Sequence, residues 1–291
     1  MTNKALTPKR EKLNTIKAYL EKSRSHIADV LPKHMSPEKM IRICSAAASR
    51  NPLLLECEPL SFVSAVITAS QLGLEPVGPL QEAYLIPYKN GKTGKYEAQF
   101  QPGYRGLIKL ARNSGEIAGI EAHIVYEADD FWVSYGTDSK IHHVPALTED
   151  PGKPVAVYAV AYFKDSTTRP QFEVLTPAQV EHIRKKSQAE RAGKVDGPWK
   201  TDTDEMWRKT AVKRLCKYLP LSAELATAIE LDNRAEVGES QLDVIDIDLT
   251  EVEPEETPSK ADLIAEKLNG ENNKSKNGLF EGYMDEPEKE A

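Results

Sequence analysis

Ala83-Tyr84-Leu85-Ile86-Pro87-Tyr88 and Tyr96-Glu97-Ala98-Gln99-Phe100, separated by Lys89-Asn90-Gly91-Lys92-Thr93-Gly94-Lys95, decide how the chain is read. β-branched, aromatic and apolar residues on both sides of a tip holding two glycines and three lysines are the pattern of a β-hairpin. Upstream the apolar spacing is helical. Leu6, Leu13, Ile16 and Leu20 mark a helix over 6–22, read as an arm of modest burial and a candidate oligomer contact. Ser36-Pro37-Glu38-Lys39 opens a second helix that carries Met40, Ile41, Ile43, Cys44 and Ala47 and stops before Asn51-Pro52. A third runs from about Pro59 to Leu72, closed by Gly73. Downstream, a helix over 102–114 precedes strands at about 117–127, 131–135, 140–144, 155–164 and 170–175. Thr176-Pro177-Ala178-Gln179 starts a helix to about Ala192, another spans Asp204 to Tyr218, and a weaker one Ser222 to Asn233.

Charge divides the chain. Residues 1–220 carry 32 Lys and Arg against 25 Asp and Glu, whereas residues 221–291 carry 6 against 20. A basic body and an acidic tail predict a polyanionic partner and a tail that competes with it. From Glu236 the folding signals fade, so 31–235 is read as the core and 236–291 as a disordered tail. The tail's apolar islands at 242–249, 260–268 and 278–284 are candidate docking segments. No apolar run approaches the roughly 18–20 residues of a membrane helix, and the opening residues lack the apolar centre of a signal peptide. The three cysteines, Cys44, Cys57 and Cys216, form no Cys-x-x-Cys, which predicts a reducing cytoplasm, and Cys44 and Cys216, in helix-like segments, are read as buried.

Two helices carry basic stripes. On 102–114, Arg105, Lys109 and Arg112 share a face opposite Tyr104, Leu107, Ile108 and Ala111. On 204–218, Lys209, Lys213 and Lys217 form a ridge with Arg214 beside it, next to an apolar side made by Val212, Leu215, Cys216 and Leu219. No acid lies within either stripe, and like charges four residues apart repel by a few tenths of a kcal/mol per pair. A polyanion laid across the ridge would relieve that repulsion. The window 184–217 holds 11 cations, Lys185 and Lys186 among them, against 5 acids, together with Trp199 and Trp207. Cations interleaved with rings suit single-stranded nucleic acid. The tip lysines 89, 92 and 95 are a further phosphate clamp; on all these features the plainer reading is a solvated face or a core ring.

Enzyme signatures are sparse. Gly91-Lys92-Thr93 resembles the end of a phosphate-binding loop, but the glycine that loop requires is replaced by Ile86, and the segment sits in a hairpin. His142-His143 and Asp129-Asp130 are adjacent pairs; in a strand, neighbours point to opposite faces and cannot easily share a metal. Glu127, Asp130 and Glu173 leave open a dispersed carboxylate site of a metal-dependent nuclease. No residue spacing calls for a cofactor.

The stretches Ser70-Gln71-Leu72-Gly73-Leu74-Glu75-Pro76, Ala83 to Pro87 and Gly103-Tyr104-Arg105-Gly106-Leu107-Ile108 resemble the RecT family of phage and prophage single-strand annealing proteins. So do Gly197-Pro198-Trp199, Glu205-Met206, Arg208-Lys209-Thr210-Ala211 and Lys217-Tyr218-Leu219-Pro220, and the likeness covers roughly 25–235. The resemblance implies an α+β fold with a small antiparallel sheet and helices lining a basic DNA groove. It also implies an ATP-independent recombinase rather than an enzyme. Such a protein would coat single strands exposed by a 5′→3′ exonuclease, assemble as rings or filaments, and pair the strand with its complement through a duplex intermediate. A host single-strand-binding protein is the other expected partner, and the bacterial cytoplasm the expected location. Carried over motif by motif, DNA would meet Arg105, Lys109, Arg112, Lys209, Lys213, Arg214 and Lys217; the pattern of cations and rings adds Trp199, Lys92, Lys95, Lys185 and Lys186. The alternatives are the nuclease and an RNA-binding assembly protein.

Overall fold

The computed structural model describes residues 8–78, 80–187, 197–220 and 222–242. Helices α1 (Pro8–Lys22), α2 (Arg24–Val30), α3 (Pro37–Arg50) and α4 (Pro59–Gln71) come first. α3 starts where the sequence predicts: Lys39 N donates to Ser36 Oγ at 3.2 Å, and Pro37 takes the first turn. α4 is buried almost all round, packed by α1, α2 and the first hairpin. α1 and α2 lay Ile16, Leu20 and Ile27 in the main core. The sequence reading contains no α2, because Ile27 and Val30 alone show no period.

β1 (Ala83–Lys89) and β2 (Tyr96–Pro102) form the expected antiparallel hairpin, with Ile86 opposite Gln99. After α5 (Tyr104–Asn113) come β3 (Ile117–Tyr126), β4 (Asp130–Ser134), β5 (Lys140–Val144), β6 (Pro154–Phe163) and β7 (Gln171–Leu175). β3, β6 and β7 make an antiparallel sheet in the order β3-β6-β7, and β4 pairs with β5 in a hairpin of its own. The chain continues through α6 (Pro177–Lys186), α7 (Pro198–Thr201), α8 (Thr203–Cys216) and α9 (Ala223–Val237). The fold is α+β, with three small antiparallel sheets where one was expected.

α8 crosses one face of the three-stranded sheet, burying Val212, Leu215 and Cys216 in the main core with Val157, Ala159 and Ala161. The other face carries Val125, Tyr158 and Val160. The β4–β5 hairpin covers it with Phe131 and Ile141 as a second, smaller core. All three cysteines are buried thiols, and burial pushes Cys216 up to about 12.

The outer edge of β2 is closed by partners that are not strands. Glu58 N donates to Tyr96 O at 2.9 Å, and Ala98 N donates to Ser61 Oγ at 2.9 Å. The Gln241 side chain accepts from Phe100 N and donates to Phe100 O, both at 2.9 Å. α9 thus continues to Val237, beyond the Glu236 boundary read from the sequence, and the chain then folds back on β2. Residues 188–196, where the helix begun at Thr176 was expected to end, lie outside the described residues. So do 243–291 with the tail islands beyond Leu242.

Candidate nucleic-acid interface

Two glycines set the position of α5. A Cβ on Gly106 would stand 2.1 Å from Glu82 O, and one on Gly103 2.3 Å from Gln81 O. Only hydrogen at both positions lets the helix start lie flat on the backbone before β1. Gly103 N then donates to Glu82 O at 2.8 Å.

This approach determines the fate of the first basic stripe. Lys109 Nζ donates to both carboxylate oxygens of Glu82 at 2.9 Å and to Gly73 O at 2.8 Å. Its charge is compensated from another element. Arg105 and Arg112 remain exposed, and with Lys164, just beyond β6, they line a cleft of about 450 Å³ beside α5. Arg105 stands 5.9 Å from the centroid of the Tyr104 ring. Lys164 carried no signal in the sequence, since only the turn after β6 brings it to α5.

The second stripe is corrected more sharply. Lys209 and Lys213 are each only 8% exposed. Lys209 Nζ donates to Asp232 Oδ1 at 2.8 Å, and Lys213 Nζ lies 2.6 Å from Asp232 Oδ2 and 2.9 Å from Glu236. They are not an acid-free ridge open to a polyanion. Burial alone would raise the Asp232 carboxyl, but the two ammonium groups outweigh it and hold the carboxyl below its ordinary value. Lys213 is desolvated as well, and Asp232 with Glu236 holds its ammonium above the usual lysine range. Lys209 lies three residues before Val212 and seven before Cys216, on the helix face that packs inward. Arg208 donates to Glu205 Oε1 at 2.7 Å.

Trp199 is 4% exposed, so the ring read as a base platform has no free face and belongs to the core. Lys95 at the hairpin tip pairs with Glu58. Lys92, Lys185, Lys186, Arg214 and Lys217 are exposed, and none of them lines the α5 cleft.

The adjacent polar pairs resolve into two cross-strand couples on opposite faces of the β4–β5 hairpin. His143 Nε2 lies 3.0 Å from Asp129 Oδ2 and its Nδ1 3.1 Å from Tyr158 Oη, joining the hairpin to the larger sheet. Outside, Trp132 stacks on His142 with centroids 5.6 Å apart. Among the described residues, no three His, Cys, Asp or Glu side chains come together as a metal site requires, and no helix is long and apolar enough to cross a membrane.

The glycine-seated basic helix and the 197–220 block lie within the region, residues 38–245, that the model of the RecT family matches. The chain belongs to the RecT family. It is 46% identical over 214 residues to Protein RecT of Escherichia coli (strain K12), covering 72% of this chain and 77% of that one. It is 32% identical over 179 residues to the uncharacterized protein YqaK of Bacillus subtilis (strain 168), covering 61% of this chain and 57% of that one. RecT membership makes this a single-strand annealing protein of DNA recombination. The RecT match includes Gln241 and stops four residues later, and it leaves α1 and α2 outside.

Proposed function

We propose that the protein binds single-stranded DNA along the α5 cleft and anneals it to its complement without ATP, holding the duplex intermediate as it forms. The observation that carries this reading is the convergence of Arg105, Arg112 and Lys164 on one cleft while the neighbouring Lys109 is neutralised by Glu82. Uncompensated cations are what a phosphate backbone recruits. Annealing makes and breaks no covalent bond. Neutralising two backbones lets stacking and pairing release about 1.4 kcal/mol per base-pair step. The exposed Lys92, Lys185, Lys186, Arg214 and Lys217 extend the phosphate track. Lys95, Lys109, Lys209 and Lys213 act on it through the fold, and Trp199 supports it from the core.

In this reading the protein assembles with copies of itself as a ring or filament. It loads in the cytoplasm onto strands opened by a 5′→3′ exonuclease and covered by a host single-strand-binding protein. The test pairs two naked complementary oligonucleotides, with and without ATP, using wild-type protein and Arg105→Ala/Arg112→Ala. Wild type should anneal equally in both conditions. The double variant should bind with a log–log salt slope lower by about 1.4, at about 0.7 per lost contact on single strands. An ATP requirement, or an unchanged slope in a folded variant, overturns the reading; shortening of the labelled strand in Mg²⁺ would favour a nuclease.

A further inference from the structure

We infer that a second cleft, between the tip of the β4–β5 hairpin, the β6–β7 turn and the end of α8, seats the bases of a single strand. The inference rests on the proposed DNA-binding function and assigns the half of the strand that the α5 cleft leaves unaddressed.

The cleft encloses about 560 Å³, within the size of sites that take small organic groups. Tyr135, Phe172 and Tyr218 line it, with Arg169 among them. Tyr135 is 59% exposed and Tyr218 60% exposed, more than any other aromatic ring among the described residues. Neither is loose surface. Tyr135 Oη accepts from Val174 N at 3.2 Å, and its ring stands 5.5 Å from Phe172 at an angle of 41°. Tyr218 follows directly on the last turn of α8, whose Leu215 reaches the main core. The cleft is held in shape as well: Arg169 Nη1 donates to Thr137 O at 2.7 Å, tying the β6–β7 turn to the β4–β5 tip.

The charges around these rings favour a nucleic acid over an apolar peptide. Arg169 lines the cleft, Lys217 precedes Tyr218, and Arg214 lies close enough to the half-buried Glu173 on the wall to oppose the upward pull of burial on its carboxyl. Arg169 on the lining and Arg214 near Glu173 thus set two cations against one carboxylate beside two open rings. Thr137 adds a neutral hydroxyl, which can meet any base edge without choosing one. Rings stack on every base, so such a seat grips a strand without reading its sequence. The two clefts divide the strand's chemistry: the α5 cleft offers cations to phosphates, and this one offers ring faces to bases.

The test uses the full-length protein, an oligothymidylate with scattered 5-iodouracil, and an abasic strand of the same length. Illumination should cross-link iodouracil to peptides containing Tyr135 or Tyr218. Tyr218→Leu should weaken oligothymidylate binding about 5- to 150-fold, the effect of losing one stacked base. It should leave abasic-strand binding unchanged, and Tyr218→Trp should restore the loss. Cross-links confined to α5 peptides, with normal binding by Tyr218→Leu, overturn the base seat and leave the DNA-binding function standing. A Tyr218→Leu protein that binds the strand normally but changes its state of assembly overturns it in favour of a contact between copies. Failure of the wild type to bind any strand removes both.

Discussion

Lys209 of α8 donates to Asp232 of α9 at 2.8 Å, inside the protein rather than on its surface. With Lys213 on the second carboxylate oxygen, one buried acid holds two cations and locks α9 against the helix that crosses the sheet. The cluster has a structural role, and its failure would be structural.

Asp232→Ala should cost about 3–5 kcal/mol, because it leaves two ammonium groups buried without their counter-ion. Urea unfolding followed by circular dichroism measures this. The triple replacement Lys209→Met, Lys213→Met, Asp232→Leu should recover most of the loss. If Asp232→Ala unfolds like wild type, the buried cluster is wrong.

Acid should loosen the same contact. The Asp232 and Asp129 carboxyls are both held below their ordinary values, Asp129 through backbone N–H donors at Tyr126 and Ala146 and through His143. Their stabilisation is complete above the unfolded carboxylate value of about 3.9 and is lost as pH falls through the lowered folded values. Lys213 behaves oppositely: its raised value adds stability below about 10.4, lost as pH climbs through the folded value. Melting temperature against pH should therefore fall below about pH 4, and Asp129→Asn should shrink the drop.

Within α5, neighbouring cations should separate by phenotype. Lys109→Ala strands the largely buried Glu82 and should lower the melting temperature. Arg112→Ala should leave melting unchanged and weaken single-strand binding at low salt. Gel shift and calorimetry on the same two variants decide the matter, and identical profiles would contradict the geometry.

Gly106→Ala should be among the most damaging single-methyl changes in the chain. Its Cβ meets the Glu82 carbonyl oxygen at 2.1 Å, and backbone cannot swing aside as a side chain can. Soluble yield and melting temperature should both fall, whereas Gly91→Ala, with open space around it, should pass unnoticed.

Truncation after Leu242 should preserve melting and annealing and raise DNA affinity at low salt, where an acidic tail competes best. Truncation after Ala235 should destabilise the protein, because it removes Gln241 from Phe100. Equal melting of the two truncations would place the fold's end earlier.

Elements were readable because their signals are local: the Ser36 and Thr176 caps, the apolar and aromatic runs of β1 and β2 around their lysine tip, and the turn glycines each act within a few residues. The basic stripes were not, because Glu82 lies 27 residues from Lys109 and Asp232 lies 23 from Lys209. One clue was present. Asp232 continues the spacing of Leu225, Ala228 and Ile229, so it sits on the inward face of α9. An acid in such a position implies a buried cation elsewhere. Trp199 misled because cations surround it in the sequence while its ring turns to the core.

The closure of β2 bears on how copies of this chain can meet. Tyr96, Ala98 and Phe100 present the row of backbone groups that a foreign strand would use to extend the sheet. That row is occupied by a loop amide, a serine hydroxyl and one glutamine amide, which imitates a neighbouring peptide group by accepting and donating at the same residue. Copies of this chain that met on one strand would thereby be kept from joining their first hairpins by sheet extension. A chain lacking Gln241 would expose a template for cross-β aggregation along that edge.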